Sequence, residues 1–328
     1  MNITPSYESP THAPLRWGVI GAASFVANAA VIPAILADPG SQLAAFASLS
    51  GGNDLPAKTA GARRFPDYES LVGSGEVDAV YIALPNSMHL PLARMAAEAG
   101  LAILCEKPLA LDPAGVSEMA EIAKTRQLLV GEAYMTQFHL RDQHFRSFVK
   151  DGGIGDVLEV EAAFTFELES NSNYRWSRAM GGGALLDVGI YLLDPIISLM
   201  GVEPEVADVK RRMRNGVDAE TEAQLRFPSG QGARVTASFV RPEQQRLKVR
   251  GTAGSVELTN PFTPSAHDTE IHVVRQRTSE IRSAPPSDPY VMMIREFTSS
   301  ATVGTPFPRP LERSLAVAQL VHRIAEAE

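Results

Sequence analysis

Apolar positions along the chain fall into two regimes. From Leu15 to Met135 they form short continuous runs, "LRWGVIG", "QLAAFASLS", "DAVYIALP", "LAILCEKP" and "LLVGEAYM", with "ARRF" a weaker one. Between them lie helix-period stretches such as "SFVANAAVIPAILAD", "NSMHLPLARMAAEAG" and "DPAGVSEMAEIAKTRQ". Continuous apolar strands alternating with helices predict an α/β fold with a parallel sheet covered on both faces. Right-handed crossovers make that sheet doubly wound. Pro33 lies well inside the first helical stretch and predicts a kink there.

From about Val157 the period changes. Alternation in "QLRF" and "RVTASFV", with turns at "PSGQG" and "GTAGS", predicts a mostly antiparallel sheet that is polar on part of one face. One helical segment, from about Ala184 to Met200, interrupts it. Residues Tyr290 to Ala327 read as two more helices, with a turn at "GTPFPRP". The expected organisation is a dinucleotide-binding domain over 14–135, a substrate and oligomerisation domain over 136–288, and C-terminal helices over 289–328.

Bulk properties narrow the function. A chain of 328 residues suits two domains. Its 45% hydrophobic and 21% charged residues are those of a soluble globular protein. A net charge of −8 argues against a nucleic-acid partner. No uninterrupted apolar run reaches the roughly 20 residues that span a bilayer, so no membrane partner is expected. The start, "MNITPSYESPTHAP", has no basic n-region, apolar h-region or twin-arginine pair, and the expected location is cytoplasmic. A lone Cys105 excludes an internal disulfide, and no His, Asp and Glu cluster has metal spacing.

Three turns sit where ligands of a doubly wound sheet bind, at the carboxyl ends of strands. "GAASFVA" follows the first strand. In the G-x-G-x-x-G pattern small residues let the backbone approach a pyrophosphate at a helix N-terminus. Gly21 fills the first slot, Ala23 the second and Val26 the third. Gly21, Ala22, Ala23, Ser24 and Phe25 form the candidate cradle, and Ser24 is a reasonable N-cap. Taken alone, this turn is equally an ordinary strand–helix connection. "ALPNSMH" contributes Leu84, Pro85, Asn86 and His89, and "CEKPLAL" contributes Glu106 and Lys107. Pro108 biases Lys107 towards extended backbone, so Lys107 ends its strand. The second strand ends at Ser48 and Leu49 with no acid for a ribose hydroxyl; Asp54 comes later. Lys58, Arg63 and Arg64 are within reach of a 2′-phosphate, which favours NADP over NAD.

A fourth motif, "GGGALLDVGIY" at 181–191, places Asp187 and Tyr191 at i and i+4 on one helix face. The glycines are expected to bring that helix N-terminus close to a ligand or the nicotinamide. The alternative is a buried helix turn with an incidental tyrosine.

In order along the chain, "WGVIGAASFVA", "ALPNSMH", "CEKPLAL", "GEAYM" and "GGGALLDVGIYLLD" resemble the glucose-fructose oxidoreductase, inositol dehydrogenase and rhizopine-catabolism family of NAD(P)-dependent oxidoreductases. The resemblance implies a Rossmann domain followed by an open-faced α/β domain. It implies hydride transfer between a nicotinamide and a sugar, polyol or related hydroxyl or ketone compound. It implies that Lys107 stands beside the nicotinamide and that Tyr191 is the proton donor or acceptor. Tyrosine at that position, rather than histidine, puts the chain with the glucose-fructose oxidoreductase and dihydrodiol dehydrogenase type. NADP users of the family often carry arginine where Leu49 stands, a departure that weakens the NADP reading.

Oxidising an alcohol needs a base for the hydroxyl proton. Bringing a tyrosine proton off near neutral pH costs roughly 4 kcal/mol. A lysine ammonium about 4 Å away, at an effective dielectric near 20, supplies roughly 4 kcal/mol. Lys107 is the expected source of that charge. Asp187 would push the tyrosine the other way, so its expected role is to bind a substrate hydroxyl or hold Lys107. Arg175, Trp176 and Tyr134 are further substrate-wall candidates, with Tyr174, Arg178, Gln137 and His139 weaker ones. An open antiparallel sheet with apolar positions such as Val235, Ala237 and Phe239 should have one face on helices and another needing cover, and with the resemblance this predicts a homodimer or tetramer built through the second sheet. Two other functions are open to the same chain. One is a glycosidase that oxidises its sugar transiently, eliminates and re-reduces with retained NAD. The other is a non-catalytic sensor of a sugar or dinucleotide, against which the complete Lys107, Asp187 and Tyr191 set argues.

Overall fold

The computed structural model describes residues 13–49, 61–201, 203–275 and 278–327. Its first half runs β1 (Leu15–Ile20), α1 (Ile32–Ala37), β2 (Ser41–Ala47), β3 (Arg63–Phe65), α2 (Tyr68–Val72), β4 (Ala79–Ile82), α3 (His89–Glu98), β5 (Ala102–Glu106), α4 (Pro113–Arg126) and β6 (Val130–Ala133). The six strands are parallel, in the order β3-β2-β1-β4-β5-β6. This is the doubly wound order, and the chain reverses direction across the sheet between β1 and β4. Apolar residues on both sheet faces explain the absence of alternation: β4 is buried at every position, and Tyr81 and Ile82 point into separate apolar clusters.

The second half runs α5 (Leu140–Lys150), β7 (Val157–Glu167), α6 (Ile190–Met200), β8 (Glu205–Arg214), β9 (Val217–Arg226), β10 (Gly232–Ser238), β11 (Val240–Gly251), β12 (Ser255–Thr259), β13 (Glu270–Arg275) and β14 (Thr278–Ser283). Its sheet has eight strands in the order β14-β13-β12-β11-β7-β10-β9-β8. All neighbours are antiparallel except β7 and β10. Helices α7 (Pro289–Val303) and α8 (Leu311–Glu326) follow. They fold back: α7 packs on α1, and α8 on α4 and α6, so the C-terminal helices tie the two sheets together.

Val235, Ala237 and Phe239 are all buried, on the face covered by α6 and its approach. The opposite face is charged and internally paired. Arg234 contacts Glu161 at 2.6 Å and Glu159 at 2.9 Å; Arg246 contacts Glu257 at 3.0 Å; Arg241 contacts Glu220 and Glu222, each at 2.6 Å. The face that carries Val235, Ala237 and Phe239 is the one expected on helices, and the charged face is the one left open. The kink at Pro33 takes a specific form. A wide π-helical turn over Ala27–Val31 runs directly into α1, and Pro33 lies just past that junction, where the wider turn takes up its missing N–H.

The segment Arg178–Met200 is, by length and composition, apolar enough to cross a membrane, although no uninterrupted run revealed it. In the fold 72% of its apolar window is buried, because it forms the central helix between the second sheet and α8.

Candidate active site

Lys107 is the first residue after β5, at the carboxyl edge of the parallel sheet. Asp187 lies in a π-helical turn, Leu185–Gly189, that runs directly into α6, and Tyr191 is the second residue of α6. The glycine run before it is shaped by the protein itself. Gly183 has φ +117°, and a Cβ there would lie 2.3 Å from Asp218 Oδ1. That same carboxylate accepts the Leu185 N–H at 2.8 Å and the Thr221 hydroxyl at 2.7 Å. Gly183 thus lets the turn close on Asp218 of β9, which satisfies an orphan donor at the helix start. Sequence reading passed over Asp218; nothing near residue 218 signals a cap for a helix so far upstream.

The turn brings three charges together. Lys107 Nζ donates to the Asp187 carbonyl at 2.8 Å and to its Oδ1 at 3.1 Å. Arg175 Nε donates to Asp187 Oδ2 at 2.6 Å. Asp187 is 2% exposed. Burial raises its pKa, but Lys107 and Arg175 outweigh that and hold the carboxyl below its ordinary range. Of the two roles expected for Asp187, holding Lys107 is the one visible in the geometry.

Lys107 Nζ lies 4.7 Å from the centroid of the Tyr191 ring, over its face. The Tyr191 hydroxyl meets Met135 Sδ at 3.7 Å, and its ring is enclosed by Tyr134, Phe164 and Phe262. Tyr191 is 7% exposed. Burial pushes its pKa well above the usual tyrosine value, and Tyr290, Glu106, Asp187 and Tyr134 push the same way. This direction is opposite to the lowering expected from Lys107 alone. The ammonium sits over the ring rather than at the oxygen and is shared with Asp187, while the hydroxyl is desolvated against a thioether.

At the first turn, Gly21 has φ +83°, and a Cβ there would lie 2.3 Å from the Ala83 carbonyl oxygen. Only glycine lets the ends of β1 and β4 close up at the reversal point of the sheet. Ala22 is buried beneath the turn, and Ser24 caps the following helix by accepting the Ala27 N–H at 3.2 Å. Ala23 and Phe25 stand exposed on the turn, Phe25 at 88%. This small-residue cradle at the switch point fits a dinucleotide pyrophosphate. Ser48 is buried at the end of β2, and the next residue, Leu49, is 61% exposed. Arg63 is paired with Glu76 and stacked on Phe65 at 4.7 Å, which engages it away from a 2′-phosphate. Lys58 and Asp54 lie outside the described residues.

The other expected cofactor residues tie loops together. Asn86 is buried, and its Nδ2 donates to the Gly181 carbonyl at 2.8 Å. His89 is buried with Nδ1 2.7 Å from the Pro108 oxygen and Nε2 2.7 Å from the Leu84 oxygen. Leu84 and Pro85 are part-buried, and Leu84 packs against the Gly21 turn. Glu106 is buried and accepts the Tyr81 hydroxyl at 2.6 Å; burial raises its pKa against the pull of Lys107. Two of the expected substrate contacts are buried, and the Tyr134 hydroxyl and the Trp176 indole N–H have no hydrogen-bond partner among the described residues. Tyr134 is buried behind Tyr191, and Trp176 is buried edge-on to Phe239 at 5.6 Å. Arg175 remains partly exposed beside Asp187, and Tyr174 lies under it at 4.9 Å. Burial and Asp187 push the Tyr174 hydroxyl up to about 12 against the pull of Arg175. His139 caps α5 by accepting the Arg141 N–H.

A switch-point cradle and an acid–base pair on one edge of a doubly wound sheet define an NAD(P)-dependent oxidoreductase. Residues 15–134 match the oxidoreductase-family NAD-binding Rossmann fold, and residues 143–257 match the GFO/IDH/MocA C-terminal domain. The chain belongs to the GFO/IDH/MocA oxidoreductase family. It is 33% identical to an uncharacterized oxidoreductase of Rhizobium meliloti, over 94% of this chain and 96% of the relative. It is 29% identical to the dTDP-3,4-didehydro-2,6-dideoxy-alpha-D-glucose 3-reductase of Streptomyces antibioticus, over 88% and 89%. Among solved structures, a 3-ketoreductase from Actinomadura kijaniata in complex with NADP and TDP-benzene superposes with a TM-score of 0.90, at 28% identity, over 95% of this chain and 97% of that one. Variants of that reductase replace a lysine and a tyrosine separated by the same number of residues as Lys107 and Tyr191.

Proposed function

We propose that the protein uses NADPH to reduce a ketone on a sugar ring, with Tyr191 as the acid that protonates the carbonyl oxygen. The observation that carries this is the environment of the Tyr191 hydroxyl, which burial keeps protonated. A neutral phenol is the form a carbonyl reduction needs, since the developing alkoxide takes up a proton. Bound NADPH supplies the hydride. Lys107, held by the Asp187 carbonyl and Oδ1 and lying over the Tyr191 ring, would supply a fixed cation to stabilise that developing charge. Arg175 completes the neutralisation of Asp187 and stays open to the solvent side, where a sugar hydroxyl or phosphate can meet it. NADP and a keto sugar are supported by the Streptomyces reductase and by the NADP-bound Actinomadura enzyme. The assembled Lys107, Asp187 and Tyr191 set supports catalysis over a sensor. A cytoplasmic setting suits the buried, unpaired Cys105.

The test is a panel read at the nicotinamide absorbance: free and nucleotide-linked keto sugars with NADPH or NADH, and aldoses and polyols with NADP or NAD. Reduction is expected to be the faster direction near neutral pH. Its kcat should hold its plateau up to the ordinary tyrosine value near 10, because the acid form is lost only above the raised pKa. A reductive kcat that falls through pH 7–8 would assign the proton to another group.

A further inference from the structure

One buried cation outside the site touches the supports of both its halves. Arg309, in the short segment between α7 and α8, has a fully buried side chain. Its guanidinium lies 3.9 Å from the centroid of the Tyr134 ring, and that ring meets Tyr191 edge-on at 5.8 Å. Its Nη2 lies 3.4 Å from Glu132 Oε2. The other oxygen of Glu132 accepts the N–H of Leu109 at 2.8 Å, two residues beyond Lys107. One arm from Arg309 therefore reaches the Lys107 loop through Glu132, and the other reaches the candidate acid through Tyr134.

Charge accounts for part of this placement, since Arg309 faces the buried Glu132 and also helps hold Asp194 ionised. Arg309 Nη2 also lies 3.1 Å from Asp194 Oδ1, but Asp194 already accepts from Arg313 Nε at 2.7 Å and has Arg146 at 3.6 Å. Nη2 is near both carboxylates without hydrogen-bond alignment to either, and Arg309 makes a side-chain hydrogen bond only to the Ser314 hydroxyl, at 3.1 Å. The guanidinium plane is instead seated on Tyr134. A buried ion pair is weak evidence for stability, since well-packed apolar residues often do as well. Its retention here has a geometric use.

We propose that Arg309 is a positioning residue that sets Lys107 and Tyr191 against one another, through Glu132 and Tyr134. This rests on the reading of Tyr191 and Lys107 as the reacting pair. Reaction rates are steep in such placement: a displacement of about 1 Å can cost about 100-fold.

The experiment uses the full-length protein, NADPH and the best ketone of the panel above. Arg309→Lys keeps the charge and removes the planar seat on Tyr134. It should lower kcat about 10- to 100-fold, with KM and NADPH affinity, followed by nicotinamide fluorescence, unchanged within about threefold. Tyr134→Leu, which removes the aromatic face, should cost less in the Arg309→Lys background than alone, because the two act through one contact. Wild-type kcat in Arg309→Lys overturns the inference, as does a loss of kcat matched by an equal loss of NADPH-binding protein. Should Arg309→Lys fail to fold, Glu132→Gln carries the test: a lowered kcat at constant NADPH affinity supports the inference, and full kcat overturns it. Tyr191→Phe runs in parallel. Its full activity would remove both this inference and the proposed acid. Its inactivity beside an unimpaired Arg309→Lys would remove this inference alone.

Discussion

The two sheets of this protein are opposites in how they use their faces. The parallel sheet buries both, so its chemistry is confined to one edge, where Gly21, Leu84 and Lys107 end or follow successive strands. The second sheet buries one face under α6 and spends the other on cross-strand ion pairs such as Arg234 with Glu159 and Glu161. Neither sheet makes a site alone. The first supplies a cation at its edge. The second seats the helix that carries Asp187 and Tyr191, and the 2.8 Å bond from Lys107 Nζ to the Asp187 carbonyl is where they meet. The comparison teaches that the open-faced sheet acts as a platform for a helix, with its chemistry coming from the buried side.

The sharpest way to break this comparison is at the junction. Tyr191→Phe should lower kcat by about 10²–10⁴ while NADPH affinity, from a fluorescence titration, stays within a few-fold. Near-normal turnover would return the helix to a packing role. The platform comes next. Leu247→Ala, on the buried face of β11, should cost about 2–5 kcal/mol in urea unfolding, because a fully buried side chain leaves a cavity. A smaller cost would mean that α6 does not depend on that face. Gly183→Ala adds a Cβ 2.3 Å from Asp218 Oδ1 at a φ of +117°. Strain of about 1–3 kcal/mol should follow, with part of the kcat lost as the Asp187 turn shifts. An unchanged denaturation midpoint would show that the turn can move freely.

Leu49→Arg tests the cofactor edge of the first sheet. A guanidinium beside the end of β2 can pair with a 2′-phosphate, so NADP binding should strengthen about tenfold over NAD binding. Equal factors for both cofactors would misplace that loop. The smallest effect belongs to the charged face. Arg234→Ala breaks exposed pairs with Glu159 and Glu161 and should cost less than about 1 kcal/mol, with activity intact. A large loss of stability, or dissociation of an assembly by light scattering, would show that this face is covered in solution.

Much of the layout was legible because it is written locally. Continuous apolar runs marked the strands of the first sheet, and alternation marked those of the second. "GAASFVA" announced a turn that closes only with glycine at position 21, and "CEKPLAL" announced a lysine at a strand end. The long-range partners carried no such mark. Arg309 sits in "GTPFPRP", a stretch readable only as a turn, and its partners Glu132, Tyr134 and Asp194 come from three other places in the chain. Asn86 and His89 looked like ligand residues because polar groups at strand ends often are. Their buried contacts with the Gly181, Pro108 and Leu84 carbonyls were not legible there.

The period of each segment and its turn chemistry were already written in the sequence, since these depend on residues a few positions apart. Only the tertiary structure decided which face of β10 was covered. Alternation separates Val235 and Ala237 from Arg234 and Thr236, but packing of α6 chooses the buried side. It also decided the sign of the Tyr191 shift. A pKa follows the sum of desolvation and every nearby charge, and those distances exist only once Lys107 has been drawn over the ring and Met135 has closed on the hydroxyl.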